Sequence, residues 1–428
     1  MTAFQLIGVL TGLIACFGYL NHRFIKLPDN IGITAVGLIF SLVLTLYSHW
    51  VPSLGEWARA TTLAIDFPAL VLHGMLGLLL FAASLHVNIS DMTRQKGPIL
   101  VLSTVGVVLS TVFIGVGAHA LFLLVGVDVP LVFCLLFGAL ISPTDPVAVL
   151  GLLKTAGVSK SLETKISGES LFNDGTGVVA YLVLLGIAAG STAPTVPSVI
   201  LMLAKEVVGA VALGLAVGAA AVYMLRALDS YAVEILITVA LATGGYALAE
   251  YLHVSAPIAV VVMGLYVGNR GARLAMTEKT REHLFSFWEL IDEVLTLVLF
   301  GLIGIQVVAL TLDIRYLPAL IVAIPLVLAA RFASVALPMM LMRRFHETAP
   351  HSVKIMTWGG LRGGISIALA LSLPPSPSRE LIIFATYGVV LFSLLVQAPT
   401  LPRVLRALKA GKKCEPSTLP PVIDETGV

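Results

Sequence analysis

The chain has 428 residues, 58% hydrophobic and 12% charged, with a formal net charge of +2 and a mean hydropathy of +1.00. Soluble domains carry about 25% charged residues, and a soluble chain of this length would split into several cores joined by polar linkers, none of which precedes the C-terminal tail. A soluble fold is thereby excluded, and an all-α polytopic membrane protein is predicted.

Apolar runs able to cross about 30 Å of hydrocarbon as helix, roughly 20 residues each, follow one another along the chain. They predict spans at 4–20, 31–49, 67–88, 97–126, 130–153, 163–190, 198–226, 231–252, 254–268, 284–310, 316–342, 353–373 and 380–401. The first lacks the basic flank and small-residue cleavage site of a signal peptide, so it is expected to be retained. With these thirteen spans, and with Lys165, Arg226 and Lys354 at span ends counted with the adjoining loops, alternate loops and the tail carry 20 Lys and Arg against 3 on the other side, leaving Lys205, Arg331 and Arg362 inside spans. By the positive-inside rule the N-terminus is predicted outside and the C-terminus in the cytoplasm. Residues 1–401 form the membrane domain, and 402–428 a short, polar, Pro-rich cytoplasmic tail expected to be disordered. Cys16 and Cys134 in spans and Cys414 in the tail give neither a disulfide framework nor a metal-ligand spacing.

Span five contains "GALISPTDPVAVLG", where Pro143 and Pro146 interrupt continuous helix. Thr144 or Asp145 can cap a second half-helix with Pro146 as its first residue. Span twelve contains "WGGLRGGIS", in which four glycines surround Arg362. If the spans divide as six, one linker and six, the interrupted ones are the fifth of each half. An odd linker then sets the halves in opposite orientations. Such inverted repeats, with broken helices crossing near mid-membrane, mark the binding site of secondary transporters. No residue-level repeat accompanies the pattern, and hinge prolines with packing glycines are the simpler reading of the same stretches.

A charge at the bilayer centre costs about 2.5–3.5 kcal/mol on insertion scales. Asp145, Glu169, Asp174, Arg331 and Arg362 all fall in spans. In span six, "ESLFNDGTGVV", Ser170 shares a helix face with Asn173 and Asp174, whereas Glu169 points to another flank. Hydroxyl, amide and carboxylate oxygens on one face suit a hard alkali cation, and no Cys/His cluster suggests a transition metal. Desolvation favours a protonated carboxyl group and a bound cation favours the ionised one. Competition of H⁺ and a cation for Asp174 is therefore the predicted chemistry, with Ser170 and Thr144 as neutral co-ligands. For the two hydroxyls, back-bonding to a carbonyl or helix capping is an equal alternative.

The stretches "TDP" in span five, "ESLFND" in span six, "RFASVALP" in span eleven and "GGLRGG" in span twelve, in this order and spacing, closely resemble the NhaP/NHE branch of the monovalent cation:proton antiporters. The resemblance runs over nearly the whole membrane region. It implies a thirteen-helix inverted-repeat fold, a homodimer in the cell (inner) membrane, and electroneutral exchange of Na⁺, with Li⁺ or K⁺ as alternatives, for H⁺. No cofactor, enzymatic reaction or nucleic-acid partner is implied. Matched residue by residue, Asp174 is the ion- and proton-binding acid, and Ser170 and Thr144 lie at cation-ligand positions. Asp145 and Arg362 balance half-helix charge at the crossing. Glu169 matches an acid paired with the arginine of span eleven, here Arg331, with Arg362 as the other candidate. Asn173 stands where exchangers of the wider superfamily carry a second aspartate. Many relatives also have an acid in span three, in an "LFEG"-like context, where this chain has "LFAASLHVN" and Ala82.

The remaining polar residues have structural readings. Lys205 and Glu206 are expected to snorkel or pair with each other. Glu289, Asp292 and Glu293 are expected at a wet helix end, His86 at an interface, and His73 and His119 in buried packing. Glu234 and Glu250 lie towards opposite ends of span eight. Three rival functions fit the sequence less well. A channel lacks a carbonyl filter or ring of acids, and an intramembrane hydrolase lacks Ser/His or HExxH groupings. An organic-anion symporter could use Arg362 and half-helix N-termini, but polar groups for the organic part are not identifiable.

Overall fold

The computed structural model describes residues 2–48, 50–145, 158–190, 196–310, 313–343 and 351–409. Every regular element among them is helical. In hydrocarbon each backbone polar group needs an internal partner, which a helix supplies within one segment. Ten of these helices are long and apolar enough to cross a membrane, and Leu131–Ile141 is a shorter apolar one. Large apolar side chains such as Phe4, Leu124, Leu201, Leu236 and Leu341 stand exposed, as a surface facing acyl chains requires.

Helix ends depart from the apolar runs where polar residues carry the helix on. Thr277 accepts from the Thr280 amide at 3.3 Å, and the helix Glu278–Gln306 starts there, ahead of the predicted 284. Pro52–Leu63 is helical where a loop was expected: Pro52 sits at its first position, where the missing N–H costs nothing. Its Ser, Glu, Arg and Thr content kept it out of the hydropathy count. At the other end, Ala398–Lys409 continues past the expected boundary at 401, with Leu401 and Leu405, one turn apart, both buried. The rest of the tail, with Cys414, lies outside the described residues.

The two interrupted segments position the site. Leu131–Ile141 ends before Pro143, and residues 142–145 are non-helical. Residues 146–157, including Pro146 and the expected second half-helix, lie outside the described residues. The other segment consists of Ser352–Trp358 and Gly364–Leu371, separated by residues 359–363. The Lys160–Ala188 helix runs beside both breaks, and Leu317–Met342 runs beside the second. One apolar core surrounds the breaks, with Phe137, Leu140, Phe300, Leu361 and Ile367 fully buried in it. A second joins Leu76–Leu85 to the helices Val196–Arg226, Tyr231–Tyr251 and Ala256–Tyr266, around Phe81 and Trp288.

Candidate ion-binding site

A break at membrane depth frees backbone groups that must find partners. Here each break supplies them to the other. The Asp145 amide donates to the Leu361 carbonyl at 2.9 Å. A guanidinium nitrogen of Arg362 donates to the carbonyls of Ser142 at 2.6 Å and Pro143 at 2.8 Å. The buried Arg362 cation thus sits on the carbonyl end of Leu131–Ile141, where the helix dipole is negative. Asp145 lies at the opposite pole: its carboxylate occupies the space that a Cβ on Gly363, the N-cap of Gly364–Leu371, would need. The "GGLRGG" glycines are therefore matters of close approach. At Gly360 an added methyl would stand 2.6 Å from Arg331 Nε.

Asp174 is 3% exposed, and its Oδ1 is buried without a hydrogen-bond partner. It lines a cavity of about 50 Å³ with Thr144 and Asp145 from the first break, Gly363, Gly364 and Ser366 from the second, and Thr296. That is room for a small ion with few waters. The carboxylates of Asp145 and Asp174 repel one another, and a cation between them relieves the repulsion. Among the described residues, carboxylate and hydroxyl oxygens supply the polarity of this lining, and none of its side chains is basic. It suits a cation and offers nothing to an organic anion.

Around Asp174 the predicted hydroxyl and amide groups form a chain. Asn173 Nδ2 donates to Thr144 Oγ1 at 2.8 Å, and Thr144 Oγ1 lies 3.1 Å from Ser170 Oγ. Asn173 Oδ1 is a second buried oxygen without a partner. Thr144 lines the cavity directly, whereas Ser170 stands behind it and reaches the cavity through that hydroxyl.

Glu169 faces away from the cavity and is held bidentately by Arg331, Nη1 to Oε1 at 2.5 Å and Nη2 to Oε2 at 3.1 Å. Both side chains are buried. The paired geometry fixes the guanidinium fork and saturates one face of the carboxylate.

Sequence reasoning missed Thr296 and Ser366. A single hydroxyl in an apolar helix is most often bonded to its own backbone, so neither carried a signal of its own. In the third span the residue on the cavity is Ala83, with Leu76, Leu79 and Leu80, while Ala82 turns into the second core. No side chain of that span brings an oxygen to the cavity. Other expectations need correction. His73 is exposed and meets Glu250 at 2.7 Å instead of packing in a core. Among the described residues Lys205 and Glu206 do not pair: Lys205 is exposed, whereas Glu206 lines a cavity. Asp292 differs from its exposed neighbours Glu289 and Glu293, being half-buried with Oδ1 enclosed. His119 is half-buried against the Val129 carbonyl, and Glu234 is buried beside Thr280.

Crossed helix breaks that satisfy each other's backbone, beside an aspartate with an unpartnered buried oxygen, define a polytopic membrane protein with a polar site inside the bilayer that suits a cation. Residues 12–407 match the family described as sodium/hydrogen exchanger, transmembrane, and the chain belongs to that family. It is similar to the Na⁺/H⁺ antiporter NhaP of Pseudomonas aeruginosa, 44% identical over 418 residues, covering 96% of this chain and 99% of that one. It is also similar to the Na⁺/H⁺ antiporter NhaH of Halobacillus aidingensis, 33% identical over 90% of this chain and 93% of that one. In fold it is similar to the sodium proton antiporter MjNhaP1 from Methanocaldococcus jannaschii, with a TM-score of 0.73 at 20% identity over 95% of this chain and 99% of that one.

Proposed function

We propose that the protein is a secondary active antiporter that exchanges Na⁺, with Li⁺ or K⁺ as alternative cargo, for H⁺ at Asp174. The observation that carries this reading is the Asp174 carboxylate, buried with a free oxygen in a cavity lined by Thr144 and Asp145 between two broken helices. A buried polar atom without a partner calls for a ligand, and a carboxylate accepts either a proton or a cation. Protonation removes the charge that holds the cation, and cation binding removes the proton. One site thus couples two opposed fluxes. Thr144 supplies a neutral oxygen directly, Ser170 orients it, and Asn173 holds its hydroxyl from the other side. Asp145 and Arg362 keep the crossing electrically balanced in both loading states, and Glu169 with Arg331 fixes the helix that carries Asp174.

The arrangement is read as two inverted six-helix repeats about a linker span, working by alternating access as a homodimer in the cell membrane, N-terminus outside and C-terminus inside. Membership in the exchanger family and the alternating loop charge support that reading. The test is dissipation of a preset pH gradient in proteoliposomes on adding Na⁺, K⁺ or an organic anion separately. Proton movement on addition of Na⁺ is expected. Movement with the organic anion alone would replace this reading by symport.

A further inference from the structure

Of the cavities that meet the Lys160–Ala188 helix, an apolar one of about 610 Å³ takes Phe172 and Thr176; three others follow one another along the axis, and Asp174 lines the middle one. Towards the N-terminal end the helix contributes Glu163, Thr164 and Ser167 to a cavity of about 290 Å³. Towards the C-terminal end it contributes Val178, Val179 and Leu182 to a cavity of about 250 Å³. At about 1.5 Å of rise per residue, Ser167 and Val178 stand roughly 10 Å and 6 Å along the axis from Asp174. Ala83 lines both the N-terminal cavity and the middle one, so these two adjoin across a single methyl group. On the other side Gly175, the neighbour of Asp174, packs against Ile258 and Ser255. An added methyl there would stand 2.6 Å from Ile258 Cγ1 and 3.2 Å from Ser255 Oγ. Ser255 is thus part of the wall between Asp174 and the C-terminal cavity.

That far cavity has a distinct donor set: the carboxylates of Glu206 and Glu250, the Tyr246 phenol and the Ser255 hydroxyl, with His253 at its edge. Ser255 is 6% exposed and its Oγ has no hydrogen-bond partner. Glu206 is half-buried and lacks Lys205 as a counter-ion, since that side chain is exposed. Glu250 is met by His73, which offsets its charge only when the imidazole is protonated. A buried hydroxyl without a partner, beside a carboxylate inside a cavity, is a donor set for a hard cation. The volume, about fivefold that at Asp174, holds such an ion with part of its water shell.

We infer that Glu206, Glu250 and Ser255 form a receiving site for the hydrated monovalent cation on the face opposite the Glu163 cavity, one wall away from Asp174. This rests on the exchange reading above. The site concentrates the cation at that face, and Ser255, shared between cavity and wall, is the oxygen through which it passes when the Gly175 contact opens. By the alternation of loop charge this face is the outer one.

Right-side-out and everted membrane vesicles present opposite faces to added Na⁺ and test the site directly. Glu206→Gln and Ser255→Ala should each raise several-fold the Na⁺ concentration giving half-maximal proton movement in the orientation that presents the Glu206 face. In the other orientation that concentration should change far less, and a wild-type melting temperature reports that the variants fold. Shifts of equal size in both orientations, or in neither, would overturn the inference. Absence of Na⁺-dependent proton movement in the wild type would instead overturn the exchange reading.

Discussion

Glu169 and Asp174 share one helix, about 7.5 Å apart along its axis, yet their surroundings differ sharply. Both oxygens of Glu169 are held by Arg331, whereas Asp174 keeps a buried oxygen free. Removing one partner of a buried ion pair leaves an uncompensated charge and costs about 3–5 kcal/mol. Glu169→Ala should therefore lower the melting temperature sharply, and Asp174→Asn should not. Equal melting temperatures for wild type and Glu169→Ala would argue that the pair contributes nothing. A double-mutant cycle with Arg331→Ala should show the second substitution costing far less than the first. The acids were legible in the sequence because charge within an apolar span is conspicuous. Their division of labour was partly legible, since five residues of helix turn Glu169 away from the Ser170 and Asp174 face. Thr296 and Ser366 were not legible, because nothing local separates a hydroxyl that faces a cavity from one that bonds its own helix.

The helix breaks carry the next level of organisation. Pro143 and the glycines around Arg362 announced the interruptions, but not that Asp145 and Leu361 join backbone to backbone across the crossing. That contact depends on Gly363 lacking a side chain where the Asp145 carboxylate lies. Overpacking a tight site costs about 1–3 kcal/mol, so Gly363→Ala should displace Asp145 and slow exchange by at least an order of magnitude. Gly244→Ala, with nothing within 4 Å of an added methyl, should leave exchange unchanged. Comparable rates for the two variants in proteoliposomes would show that the crossing tolerates a looser fit. Element ends were read less well than element centres. Pro52–Leu63 starts on a proline at its first position and Glu278–Gln306 on the Thr277 cap, and both carry polar residues that a hydropathy count passes over.

For the molecule as a whole, a single ionisable acid at the Asn173–Asp174 position should set the charge carried per cycle. With an amide at 173, one proton should leave for each monovalent cation bound, and no net charge should move. Asp145, the other carboxylate on the cavity, lies at the N-terminal pole of Gly364–Leu371, where the helix dipole stabilises negative charge. One net charge would couple to the membrane potential at about 2.3 kcal/mol per 100 mV, so the equilibrium Na⁺/H⁺ ratio should be the same with and without a valinomycin-set potential. A shift in that ratio would require a second proton per cation and point to Asp145. The membrane setting could be read from composition and the two interruptions from their prolines and glycines, whereas the far cavity could not, since Glu206 and Glu250 come from two helices and Ser255 from the N-cap of a third, with no shared motif. The most direct measurement is Na⁺-driven proton flux in proteoliposomes carrying wild type or Asp174→Asn, with folding checked by melting temperature. Wild-type flux with none above the empty-liposome background in the folded variant is the predicted result. Substantial Na⁺-driven flux through folded Asp174→Asn would contradict the assignment of exchange to this carboxylate.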